Sequence, residues 1–169
     1  MSARADAVDS GVVLRPARAE EADALVAMIN AAYHKTEGHV FPGTTRTERE
    51  DVTRRLPELT VAEADGTVAG CIHVTLSPPE AHFGLLAVDV ARHGQGIGSQ
   101  LIAHAERVAR AAGCETMRIE AVKEGGQVPY YERRGYRVAA EHAGQEWNGS
   151  ADWGAAIDWH MVEMEKPLR

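Results

Sequence analysis

The sequence predicts an α/β domain whose elements follow the order β-α-α-β-β-β-α-β-α-β-β. Three observations lead there. The apolar run Leu85 to Val90 enters a turn with Gly94, Gly96 and Gly98, and Ile97, Leu101, Ile102, Ala105, Val108 and Ala112 then recur at helical spacing. Asp65-Gly66 separates two strand-like runs, which is the strongest short signal for a hairpin. Beyond Gly113, the segment Thr116 to Val122 alternates as a half-buried strand does.

Taken in order, Val12 to Arg15 reads as a first strand stopped by Pro16. Ala22, Leu25, Val26, Ile29 and Tyr33 then mark an amphipathic helix of about four turns, with Glu20, Glu21 and Asp23 at its favourable N-terminal end. The polar stretch from His34 to Gly43 reads as a working loop, and Thr47 to Leu56 as a second, more charged helix. Leu59 to Ala64 and Val68 to Leu76 form the hairpin strands, Pro78-Pro79 breaks the run, and Ala81 to Val88 is the fourth strand. The third helix ends at Gly113, a residue suited to a left-handed cap. Pro129 is tolerated only in a first helical turn, so a short helix must start near Val128 and stop before Gly135. Tyr136 to Ala140 and Ile157 to Met164 supply the last two strands, which places Trp159 in the seventh.

At 169 residues the chain is long enough for one core without disulfides, so residues 11–169 are expected to form a single domain behind a flexible tail over residues 1–10. Eighteen basic against 25 acidic residues give a formal charge of −7. That balance argues against nucleic acid as a partner and suits a cationic or amine-bearing substrate. Cys71 and Cys114 have no neighbours at metal-ligand spacing and read as small apolar thiols in a reducing compartment. His34 and His39 lack companion ligands, so no metal is expected. The N-terminus has no apolar signal core and no run approaches bilayer length, so no membrane partner is expected and the protein is assigned to the cytoplasm.

The glycine turn has the grammar of a phosphate site. Alternate residues without Cβ let successive N–H groups face one concavity, and the following helix adds the positive end of its dipole. A dinucleotide fingerprint fails, because its last glycine would fall on Ser99 or Leu101. A Walker A loop fails too, since the turn has no Gly-Lys-Ser/Thr.

The hexapeptide His93-Gly94-Gln95-Gly96-Ile97-Gly98 resembles the acyl-CoA-binding turn of the GNAT acetyltransferase superfamily, with histidine where the family has Arg or Gln. A second segment, Val128-Pro129-Tyr130-Tyr131-Glu132-Arg133-Arg134-Gly135-Tyr136, is similar to that family's Phe-Tyr-Glu-x-x-Gly-Phe/Tyr stretch. The two motifs lie a helix and a strand apart, and the order of elements matches over nearly the whole chain. The resemblance implies the GNAT acyl-CoA N-acyltransferase fold: a mixed, mostly antiparallel seven-stranded sheet flanked by about four helices. It further implies acetyl-CoA as co-substrate and direct transfer of acetyl to a primary amine of a small molecule or protein. The alternative is a catalytically weak CoA-binding regulatory or interaction module, and a homodimer stays open.

By this resemblance the main-chain amides from His93 through Gly94, Gln95, Gly96, Ile97 and Gly98 to Ser99 anchor the pyrophosphate. The backbone of Leu86, Ala87 and Val88 pairs with the pantetheine arm, and the N–H of Ala87 or Val88 faces the thioester oxygen. Where many members carry Asn and Ala, this chain has Glu124 and Gln127, so the side-chain contact to the pantetheine arm either passes to Gln127 or is absent. Tyr131 matches the general acid, since a phenol with a pKa of ~10 keeps its proton until a thiolate asks for it. Tyr130 is its one-residue alternative. Glu80 or His82 is the tentative base, with His73 on the adjacent strand, and for each a purely structural role competes. Trp147, Trp153 and Trp159 could line an acceptor pocket, and the loops His34 to Arg46 and Gly144 to Ala155 are where acceptor choice is expected to be set.

Overall fold

In the computed structural model, which describes residues 11–147 and 153–169, seven strands form one sheet. They are β1 (Val12–Pro16), β2 (Leu59–Ala64), β3 (Thr67–Ser77), β4 (Glu80–Val88), β5 (Thr116–Val122), β6 (Arg137–Ala143) and β7 (His160–Pro167). Their spatial order is β1-β2-β3-β4-β5-β7-β6. Only β4 and β5 run parallel; every other neighbouring pair is antiparallel. Five α-helices accompany them: α1 (Ala22–Glu37), α2 (Arg49–Arg55), α3 (Ile97–Ala111), α4 (Val128–Glu132) and the single turn α5 (Gly144–Trp147). Among the described residues no helix is long and apolar enough to cross a membrane. The expected flexible tail over residues 1–10 lies outside the described residues.

The helices cover both faces. Ile97, Leu101, Ile102, Ala105 and Ala109 of α3 pack on one side with Ile72, Val74, Ala81 and Phe83. On the other side, Leu25 and Ile29 of α1 and Val52 of α2 pack with Val61, Cys71, Leu85 and Ala87. Each large aliphatic side chain so buried contributes about 1.5–3 kcal/mol over exposure. The hairpin between β2 and β3 turns through Asp65 and Gly66 with φ of 53° and 75°, the two positive values a type I′ turn requires.

Strand β4 holds the feature that opens the site. Period-two alternation would put Ala81, Phe83, Leu85 and Ala87 on one face. Instead Ala81 and Phe83 belong to the α3 side and Leu85 and Ala87 to the α1 side. The switch is a bulge: Cys71 pairs Ala87 and His73 pairs Gly84, so one β3 residue faces two on β4, and Leu85 takes a φ of 47°. A branched residue in that region is strained. Beside the bulge the sheet comes apart. β4 and β5 pair only over Glu80–Thr116, Ala81–Met117 and His82–Arg118, and from there to Val88 the two strands have no registered partner in each other.

Strand β6 runs from Arg137 to Ala143 instead of Tyr136 to Ala140, and three further elements differ from expectation. Helix α1 continues past Tyr33 to Glu37, because its last turn faces the opening between β4 and β5 and so carries no further apolar stripe. Helix α2 begins only at Arg49: Thr47 sits ahead of it, donating to Asp51 at 2.8 Å, and Pro57 turns its end into a short 3-10 segment. Strand β7 begins at His160 rather than Ile157, so Trp159 precedes it. Ile157 is exposed, whereas Trp159 is buried against Gly144 of α5, whose N–H bonds the Trp159 carbonyl at 2.8 Å.

A buried ion pair supports the aromatic stack near the site. Glu106 of α3, 5% exposed, accepts from Lys166 Nζ at 2.8 and 2.9 Å and from the Tyr136 hydroxyl at 3.5 Å. Lys166→Met should strand that carboxylate and lower unfolding free energy by about 3 kcal/mol, measurable by denaturant melts. An unchanged midpoint would mean that Glu106 is solvated.

Candidate active site

The turn after β4 is assembled from local hydrogen bonds. Asp89 accepts from the Ala91 amide at 3.0 Å and binds the Ala69 carbonyl through its own amide at 2.8 Å. Gly94 and Gly96 then take φ of 81° and 80°, with Gly96 as the left-handed residue just before α3. Gly98 is different: its φ is ordinary, but a Cβ there would lie 2.8 Å from the Tyr130 hydroxyl. The first two glycines are therefore required by backbone conformation and the third by space. His93 ties the turn down. Its Nε2 lies 3.1 Å from the Val88 carbonyl and its Nδ1 3.1 Å from Lys35 Nζ, so the ring donates to the strand and accepts from the helix.

A cavity of about 650 Å³ runs from this turn along Leu86, Ala87 and Val88 to Gln127 and Tyr131, with the last turns of α1 as its wall. His93, Gly94, Gly96, Ile97, Gly98 and Ser99 line its phosphate end; Gln95 is exposed at the tip and does not. The lining adds side chains that the sequence reading did not name. The turn has no lysine in sequence, yet folding brings Lys35, Arg92 and Arg134 to this cavity. Arg134 donates to the Ser99 hydroxyl at 2.7 Å and lies 3.5 Å over the Tyr130 ring. Amides at a helix start and three cations fit the phosphates of a CoA, and the narrow remainder between the strands fits an extended arm.

Tyr131 stands where the strands part. Its ring lies 6.2 Å from Phe83, 5.3 Å from Tyr130 and 6.0 Å from Tyr136, which fixes its orientation. Burial pushes its phenol above the usual range, with smaller contributions from Tyr33, Tyr130 and Glu37. It therefore stays protonated through the neutral range. Tyr130 instead points its hydroxyl at Gly98, toward the phosphate end.

A second cavity of about 580 Å³ lies across the opening. Tyr33, Glu37, Glu120, Ala121 and Val122 line both, so the two spaces meet there. Phe41, Trp147 and Trp153 make an aromatic wall, and Asn30 fastens the loop beside it by accepting from the Arg46 and Thr47 amides at 2.9 and 3.0 Å. Burial raises the Tyr33 phenol to about 12 and moves the Glu37 carboxyl above its ordinary value, which Arg46 and His39 only partly offset.

Of the two tentative bases, the geometry separates His82 from Glu80. His82 lines the second cavity and is hydrogen-bonded to Glu120. Glu80 lines neither cavity and binds Arg118 at 2.8 Å. His73 is buried between Glu58 and Arg55 and is held below the usual imidazole range by burial, a structural residue. Glu124 turns away to His160, accepting from its amide and Nδ1 at 2.8 and 2.6 Å, which leaves Gln127 as the cavity residue of that pair. Sequence reasoning did not single out Tyr33, Glu120 and Arg134 as site residues, and it placed Lys35, Glu37 and Arg46 in the His34 to Arg46 loop without naming them individually. A helix whose apolar stripe ends while helix-compatible residues continue was the signal available for Lys35 and Glu37.

Residues 56–138, spanning β2 to the start of β6 and hence the turn and Tyr131, match the family model described as acetyltransferase (GNAT) domain. The matched segment is a GNAT acetyltransferase domain. Among solved structures, an N-acetyltransferase from Staphylococcus aureus Mu50 shares 21% identity over 94% of this chain and 99% of its own, with a TM-score of 0.71. The PaiA N-acetyltransferase from Thermoplasma acidophilum, solved with coenzyme A, shares 16% identity over 92% and 98%, at 0.71. N-acetylglutamate synthase from Neisseria gonorrhoeae, solved with coenzyme A and N-acetyl-glutamate, shares 17% over 94% of this chain, at 0.71; the chain spans only 35% of that protein. These likenesses show the GNAT fold. A sequence search of curated proteins finds no match. Among the described residues no cluster of three metal-ligating side chains occurs.

Proposed function

We propose that this GNAT protein is an N-acetyltransferase that moves the acetyl group of acetyl-CoA directly onto a primary amine. The meeting of the two cavities beside Tyr131 carries this reading, because it lets a thioester and an amine approach through separate openings. The turn from His93 to Ser99 binds the pyrophosphate, and Leu86, Ala87 and Val88 hold the arm through the backbone. The amide of Ala87 or Val88, past the bulge, stabilises the oxyanion that forms on the thioester carbonyl.

Transfer forms a C–N bond and breaks the C–S bond. The amine must lose a proton and the departing thiolate must gain one. Tyr131 donates the second from its phenol. His82 accepts the first: with Nε2–H given to Glu120, its Nδ1 keeps a free lone pair. Cys71 does not serve as an activated nucleophile, since it is fully buried and burial raises its thiol to about 12. Its reduced state and that of Cys114 fit a reducing compartment such as the cytoplasm.

The test follows free thiol and acetylated amine together at several pH values. One thiol per acetylated amine is expected, with rates rising as pH rises and the amine deprotonates. Trapping an acetylated enzyme competent to pass acetyl onward would contradict direct transfer. His82→Ala should lower kcat/KM by about 10²-fold or more, and an unchanged rate would remove His82 from the role.

A further inference from the structure

The second cavity is built unlike a general amine site. Its apolar wall is aromatic: Phe41, Trp147 and Trp153, with Met161 and Val122 beside them. This wall is rigid. Trp153 stacks on buried Trp159 at 5.1 Å and 18°, Phe41 meets Trp159 edge-on at 5.1 Å, and Thr44 donates to the Trp153 carbonyl at 2.7 Å. Two carboxylates, Glu37 and Glu120, face the end where the cavities join.

Those carboxylates differ. Glu120 is bound to His82, whereas the Glu37 carboxylate has no hydrogen bond or ion pair with another described residue although burial penalises its charge. Such a group gains most from a cation brought by a ligand. Arg46, which lies 5.0 Å from the centroid of the Tyr33 ring, and His39 stabilise the Glu37 charge only in part. His82 is committed to Glu120. The lining therefore offers an ammonium site at the junction and a flat apolar surface behind it.

We infer that the acceptor is a monoamine with an uncharged aromatic or flat apolar body, its ammonium received by Glu37 and its body lying on Trp153, Trp147 and Phe41. This rests on the acetyl-transfer reading for its chemistry and on the cavity alone for its binding. A polyamine would have to bury a second cation against the tryptophans. An α-amino acid would bring a carboxylate toward Glu37 and Glu120, which repel it.

The test compares 2-phenylethylamine, phenylalanine and spermidine on the full chain, by calorimetric binding without acetyl-CoA and by thiol release with it. 2-Phenylethylamine should bind at least 10-fold tighter than the other two and show the highest kcat/KM. Trp153→Ala and Glu37→Gln should each weaken its binding at least 10-fold, with CoA affinity of Trp153→Ala unchanged. Preference for phenylalanine or spermidine, or wild-type amine binding in both variants, would overturn the inference. Tight binding of the aromatic amine with no thiol release from any acceptor would uphold the acceptor site and defeat acetyl transfer. Turnover of spermidine or phenylalanine alone would do the reverse.

Discussion

Replacing Tyr131 with phenylalanine should lower kcat by about 10²-fold or more while leaving acetyl-CoA affinity little changed. The substitution keeps the ring, and with it the contacts to Phe83, Tyr130 and Tyr136. Only the hydroxyl is lost, so a packing role predicts no effect and an acid role a large one. The hydroxyl makes no hydrogen bond to another described residue that the change would break. Because burial holds the phenol above its usual range, the wild-type acid should not ionise below the ordinary phenol pKa of ~10. No alkaline fall in kcat from this group should therefore appear in the neutral range. Full activity in Tyr131→Phe together with loss in Tyr130→Phe would transfer the role to Tyr130. The structure makes that outcome hard to build, since the Tyr130 hydroxyl is turned to Gly98 at the other end of the cavity.

Gly98→Val should abolish measurable CoA binding by calorimetry. A Cβ at this position lies 2.8 Å from the Tyr130 oxygen, and the two further methyls of valine extend into the same space beside the first amides of α3. Tyr130 cannot swing freely, because Arg134 covers its ring and is itself bonded to Ser99. Gly96→Val should also fail, for another reason: its φ of 80° strains any branched residue and would refold the turn. His93→Ala removes a tie to Val88 and Lys35 but no backbone amide, so a loss of only a few-fold is expected. Wild-type CoA affinity in a folded Gly98→Val protein would sink the assignment of the turn.

What the sequence made legible is what short-range physics specifies. The hairpin at Asp65-Gly66, strand β5 over Thr116–Val122 and the glycine turn before α3 could be read because each depends on neighbours in the chain. Three other features depend on distant partners. Tyr33 and Glu37 belong to one helix, but the helical signal fades once its face meets a cavity instead of a core. The β4 bulge leaves no trace, since burial alternates without a break from Ala81 to Val88 while the faces exchange. His82 and Glu120 meet only through the parallel register of β4 and β5, 38 residues apart. Glu80, its rival in the sequence, was lost to Arg118 for the same reason.

The parting of β4 and β5 gives this sheet an edge in its interior. Edges invite foreign strands, and proteins ordinarily blunt them with charge, proline or a cover. Here α1 and α4 line the gap and leave a cavity between the strands. Along Leu86, Ala87 and Val88 that space is bordered by peptide groups, which every residue carries. Recognition by such groups places almost no demand on amino-acid identity. It allows a shape to persist while its sequence drifts, as between this chain and folds that share only 16–21% of its residues.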